Sequence, residues 1–201
     1  MTDTPSTGSV LRLMKLLCLL VALAVGAATA TAAVGAAKRH RVKLGRTVLL
    51  APRTHTTDCV LDSLPDRRCS PGAYSTGLTK AVICSPHFDT GMVRRLSRSK
   101  KYAVEREYGL PAGFFRDALQ IDHIVPLRLG GSNSIANLFP EEYVFADHSP
   151  GYPVKDRLDT RLHRLVCAGR MSLRTAQRRI AEDWESLYRQ LFGHAAARKQ
   201  R

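Results

Sequence analysis

The chain has 201 residues, with 31 Lys and Arg against 17 Asp and Glu, a formal charge of +14. That length leaves room for one ordinary domain and an extension, and excludes a set of large domains. The charge leaves the fold open but narrows the partners to polyanions: nucleic acid, an anionic membrane surface or acidic polysaccharide.

Residues 1–33 read as a secretory signal peptide. Arg12 and Lys15 precede an apolar run that starts at Leu16, and small residues give A-x-A sites at Ala28-Thr29-Ala30 and Ala30-Thr31-Ala32. The alternative is an uncleaved membrane anchor, because residues 16–37 are long enough to span a bilayer. The second half of that stretch is Ala/Thr-rich and weakly apolar, which favours cleavage and a secreted or periplasmic product. Cleavage removes two basic residues and one acidic residue and leaves +13, so the basic character belongs to the exported part. It also removes Cys18 and leaves Cys59, Cys69, Cys84 and Cys167. Four cysteines in an oxidising compartment imply two disulfides, with three connectivities open. No C-x-x-C pair occurs, which argues against a structural zinc knuckle.

Residues 34–68 form a basic, loop-rich segment. The cluster at 38–43, KRHRVK, suits either an arm touching phosphates or a solvated tail. Residues 47–50 suggest a short strand, and 51–71 read as loop. A turn follows at Ser70-Pro71-Gly72, and 78–84 could be a strand or a helical turn. The densest basic run is Arg94, Arg95, Arg98, Lys100 and Lys101, interleaved with Val93, Leu96 and Tyr102. It leads into a helix over 99–108 with Gly109 as its C-cap. The run suits phosphate contact or a charged, solvated face.

The chain is organised around residues 120–142, QIDHIVPLRLGGSNSIANLFPEE. Asp122 and His123 are adjacent and precede an apolar run. Gly130-Gly131 suggests a hairpin turn, and Asn137 leads the returning segment. Histidine can accept a proton from water near neutral pH, and a carboxylate can hold a divalent cation. Successive strand residues point to opposite faces, so a strand carrying both must end or bend near the pair. The amide of Asn137, returning across the turn, would orient the imidazole. Glu141 and Glu142 fall at the start of a loop over 141–153. A helix over 154–166 then carries Val154, Leu158, Leu162 and Leu165 on one face. Ala168-Gly169 ends it, and Ser172 caps a second helix striped with Leu173, Ala176, Ile180, Trp184, Leu187 and Leu191. Residues 193–201 form a basic tail.

This layout resembles the HNH endonuclease family, the ββα-metal nucleases. The likeness rests on I-D-H-I-V-P-L-x-L-G-G (121–131), then Asn137-Leu138, then a helix with Lys155-Asp156. It is similar to a secreted branch in which Cys69-Ser70-Pro71-Gly72, Tyr108-Gly109-Leu110, the L-H-x-x-V-C of 162–167 and the S-L-x-x-A-Q-x-x-I-A-x-D-W of 172–184 have counterparts. The resemblance implies a small α+β fold with an HNH nuclease domain over 69–192. It implies hydrolysis of phosphodiester bonds with one divalent ion, Mg2+ first, with Mn2+, Ni2+ or Zn2+ as alternatives, and no small-molecule cofactor. His123 would activate water, Asp122 would bind the ion, and Asn137 would orient His123. The family's second metal ligand sits just before the lysine, where this chain has Gly151, Tyr152, Pro153 and Val154. His148 and Asp156 are the candidates to replace it, and His163 lies too far along the helix.

The expected substrate is DNA, cut with little sequence preference, with RNA as the alternative. Arg94, Arg95, Arg98, Lys100, Lys101 and Lys155 are the expected phosphate contacts, and an inhibitor protein is a conceivable partner. Two other functions fit the sequence: an inactive HNH-like DNA-binding protein of the cell envelope, and a cationic disulfide-bonded protein that binds acidic polymers.

Overall fold

The computed structural model describes residues 42–116, 119–144 and 149–193. The expected signal peptide over 1–33, most of the 38–43 cluster, His148 and the tail beyond Gly193 lie outside the described residues. The elements run β1 (Thr47–Leu49), β2 (Ala73–Ser75), α1 (Lys80–Ile83), α2 (Arg98–Glu107), β3 (Leu119–His123), β4 (Leu138–Glu142), α3 (Tyr152–Cys167) and α4 (Leu173–Phe192). Single 3-10 turns lie at Thr90–Met92, Phe114–Arg116, Leu127–Leu129 and Ile135–Asn137. The fold is α+β, with two small antiparallel sheets, β1–β2 and β3–β4, and helices around them.

The two long helices form where apolar residues recur at helical spacing. On α3, Val154, Leu158, Leu162 and Val166 are buried on one face. On α4 the buried face is Ala176, Ile180, Trp184, Leu187 and Tyr188. The Ser172 hydroxyl caps α4 by accepting from the Thr175 N–H at 3.0 Å. At Asp183 the backbone leaves the helical region (φ −161, ψ 90). The Asp183 carboxylate restarts the helix by accepting from the Ser186 N–H at 2.9 Å.

Two disulfides, Cys59–Cys69 and Cys84–Cys167, realise one of the three connectivities. The first ties the loop-rich segment to the turn before β2, and the second ties α1 to the end of α3. Composition suggests a boundary at Cys69, but packing continues across it. Val42, Leu44, Leu50, Leu61 and Leu64 pack on the common core, and the Trp184 indole donates to Ser63 O at 2.9 Å. Among the described residues no helix is long and apolar enough to cross a membrane. The disulfides fit an oxidising compartment.

Three local expectations need correction around β3 and β4. The two strands pair from Leu119↔Glu142 to His123↔Leu138, so their connection is the whole of 124–137 and not a tight turn at Gly130-Gly131. The expected extended run there turns as 3-10 helix at Leu127–Leu129. The glycines serve that wide loop. Gly130 has φ +77, and a Cβ on Gly131 would lie 1.7 Å from Val125 O. Finally, Glu141 and Glu142 belong to β4 and not to a loop, and Glu141 is fully buried.

Candidate active site

Strand β3 ends at His123, and this lets two consecutive side chains face one recess. Asp122 and His123 line a polar recess of about 60 Å³ together with Thr90, Arg94, Arg128, Asp156 and Asp159. Asp156 and Asp159 come from the first turns of α3, Arg128 from the 124–137 loop, and Arg94 from the segment before α2.

Asn137 is buried, and its amide makes four hydrogen bonds, all to backbone. Its Oδ1 accepts from Ala73 N and Val125 N, both at 2.9 Å, and its Nδ2 donates to Val125 O and Ser132 O at 3.0 and 2.8 Å. These bonds brace the loop, and none reaches the His123 ring. The expected hydrogen bond from Asn137 to the imidazole is therefore replaced by contacts to the loop backbone alone.

The ring's partner is Asn133, which sequence reasoning passed over. Asn133 Nδ2 donates to Val93 O at 2.9 Å, and Oδ1 accepts from the Arg95 N–H at 2.8 Å. These bonds fix which end of the amide is oxygen. That same Oδ1 lies 3.3 Å from His123 Nε2, so Nε2 carries the proton and Nδ1 is left as the acceptor. His123 is only 2% exposed. Burial pulls its pKa down to about 4; Asp122 opposes that shift, while Arg94 and Lys155 add to it. The imidazole is thus neutral at pH 7 and able to take a proton.

Lys155 was expected at the phosphate and is instead buried behind the pair. Its Nζ donates to Asp122 Oδ2 at 2.6 Å and to His123 O at 2.8 Å. Burial opposes its charge, but Asp122, Asp159 and Glu141 together hold its pKa above the ordinary value. One ammonium serves these three carboxyls, and it does not satisfy them all. Both carboxyl oxygens of Glu141 and Oδ1 of Asp159 lack a donor. Burial, with Asp122 and Asp159 near, pushes the Glu141 pKa well above the usual carboxylate range against the pull of Lys155. In that protonated form Glu141 can itself donate to Asp122. Asp159 is raised likewise, first by burial, and Asp156 is raised by burial and by Asp122. Asp122 goes the other way: Lys155 and His123 hold it down against its burial.

These are oxygen donors, the chemistry that a hard divalent cation takes. Asp122 and Asp156 both line the recess and carry such oxygens. No three carboxylate or imidazole ligand atoms converge within 4.8 Å at this site among the described residues. Such an ion would therefore keep several waters, as Mg2+ usually does. The trio that does converge is elsewhere. Cys84, His163 and Cys167 bring one ligand atom each within 4.8 Å and could hold a metal ion. Their two sulfurs are bonded to each other, however, and His163 Nε2 lies 2.9 Å from Ile83 O. A metal there would require the reduced thiolates.

The expected basic contacts separate. Arg94 lines the recess, and Arg95 and Arg98 are exposed. Lys100 is committed to the loop, donating to Asn133 O at 2.6 Å, and Lys101 lies 4.5 Å from the Phe115 ring centre. Asp159, Asn133 and Arg128 were not singled out as site residues. Only the spacing G-G-S-N after the Asp-His pair hinted at Asn133. Comparison with known proteins found no matching family model, no matching curated protein and no matching solved structure.

Proposed function

We propose that the protein is a metal-dependent endonuclease of the HNH type that hydrolyses phosphodiester bonds of DNA. One observation carries the reading. Asp122 and a neutral His123, its Nδ1 left as acceptor, end one strand in a recess shared with two arginines and two further carboxyls. An antiparallel β3–β4 pair followed in sequence by α3 is the element order that this reading requires.

A divalent ion bound by Asp122 and Asp156 would supply Lewis-acid stabilisation of the scissile phosphate. The chain's own groups do the rest. His123 Nδ1 takes the proton of the attacking water. Asn133 keeps the opposite nitrogen protonated, so that Nδ1 stays the basic end. Arg94 and Arg128 hold the phosphate charge. Lys155 fixes the Asp122 carboxylate from behind.

Plasmid nicking with Mg2+ or Mn2+, with a chelator control, tests this. The expected result is metal-dependent nicking that falls by about 10²–10⁴ in His123→Ala. No nicking with either ion, or nicking unchanged in His123→Ala, overturns it. The contact of Lys155 with Asp122 also favours a second reading, in which the scaffold binds DNA without cutting it. Tight DNA binding with no nicking in either ion would decide for that reading.

A further inference from the structure

We infer that the groove between α3 and the end of α4 binds a single-stranded stretch of the polynucleotide whose phosphate enters the recess, which rests on the nuclease reading above. The groove has a volume of about 560 Å³ and borders the recess at Asp156, which lines both. Arg157, Arg161 and Arg164 line it, spaced at i, i+4 and i+7 on one face of α3. All three are exposed. Among the described residues the arginine ion pairs are Arg53–Glu107, Arg68–Asp66 and Arg189–Glu185, so none of the three has a carboxylate partner.

The opposite wall is apolar: Leu191 and Phe192, with Phe192 stacked on Tyr188 at 4.5 Å between ring centres. Arginines facing an aromatic ring across one groove are the two halves of a single-strand site, a cationic track for the backbone and a platform for a base. A duplex offers only its phosphates to such a wall, because its bases are stacked inside. An unpaired base covers the ring. The rise from Asp156 to Arg164 is about 12 Å of helix, which gives the strand a defined path away from the recess. The segment beyond Gly193 carries Arg198, Lys199 and Arg201, so it has the same sign as the arginines and does not suit the groove.

The test is fluorescence anisotropy in chelator, with the full chain and a labelled oligothymidylate or a duplex of equal length, over a salt series. Replacing Arg157, Arg161 and Arg164 together by Gln should flatten the salt slope for the single strand by about 2, from ~0.7 per phosphate contact. Phe192→Leu should weaken the single strand roughly five- to a hundredfold and leave the duplex unchanged. An unchanged slope in the triple variant, unchanged single-strand affinity in Phe192→Leu, or equal losses on duplex and single strand each overturn the proposal. Phe192→Trp keeps an aromatic face and guards against a folding defect: retained single-strand binding supports the proposal, and its loss overturns it. The nuclease reading fails separately. Normal binding by the groove variants with nicking intact removes the groove alone, whereas lost single-strand binding without nicking in any ion leaves the groove and removes the nuclease.

Discussion

Two asparagines hold the loop between β3 and β4, and they do different work. Asn137 satisfies four buried backbone groups, so Asn137→Ala should cost at least about 3 kcal/mol by leaving them unpaired. Urea unfolding measures that loss. Asn133 makes fewer bonds but sets the proton on His123. Asn133→Ala should keep the fold and lower cleavage roughly ten- to a hundredfold, as the loss of a histidine's orienting partner does. The His123 ring can be followed directly. By NMR in the metal-free protein its titration midpoint should fall near 4 and not near the ordinary 6.5. The folded pKa is depressed, so between 6.5 and 4 the unfolded chain binds a proton that the fold refuses. Stability should therefore decline as pH falls through that window, and less steeply in a His123→Ala variant. At this scale the sequence showed Asp122 and His123 as a pair because their types and adjacency carry the chemistry. It could not apportion two asparagines four residues apart, because the roles depend on which backbone groups the loop leaves unpaired.

At the scale of elements, α3 joins the site to the core. Its apolar face is buried, and its first turns send Lys155 inward and Asp156 and Asp159 to the recess. Removing the lysine leaves three carboxyls facing one another. Lys155→Ala should destabilise by about 3–5 kcal/mol, the range for breaking a buried ion pair. Thermal melting would show this, and a melting temperature equal to wild type would contradict the account. The helices were legible because period and caps repeat over several turns, as with Ser172 and the stripe of α4. The inward lysine was not, since a Lys-Asp pair reads as exposed unless the burial of its neighbours is known. Glu141 escaped for a similar reason: Leu138 and Phe139 point to a strand, but the burial of the glutamate after Pro140 appears only once β4 pairs with β3.

For the molecule as a whole, charge and crosslinks set the behaviour. The +14 balance should make nucleic-acid binding fall steeply with salt, and a flat dependence between low and physiological salt would contradict a phosphate-binding surface. Cys59, Cys69, Cys84 and Cys167 pointed to two disulfides but not to their partners, because connectivity follows from which elements meet in space. The Cys84–Cys167 bond closes a ring across 83 residues that contains α2, β3, β4 and all of α3. Replacing both cysteines by Ser should cost about 4–5 kcal/mol by freeing the unfolded chain.

The two rings differ in size by about eightfold, with separations of 10 and 83 residues. Bringing distant ends together is entropically harder than bringing near ones together. Oxidation of the reduced chain should therefore pass through a species with the Cys59–Cys69 bridge closed and Cys84 and Cys167 still free. Rapid alkylation should trap it with Cys84 and Cys167 both labelled, and the strands and loop that carry Asp122 and His123 become covalently fenced only at the last step.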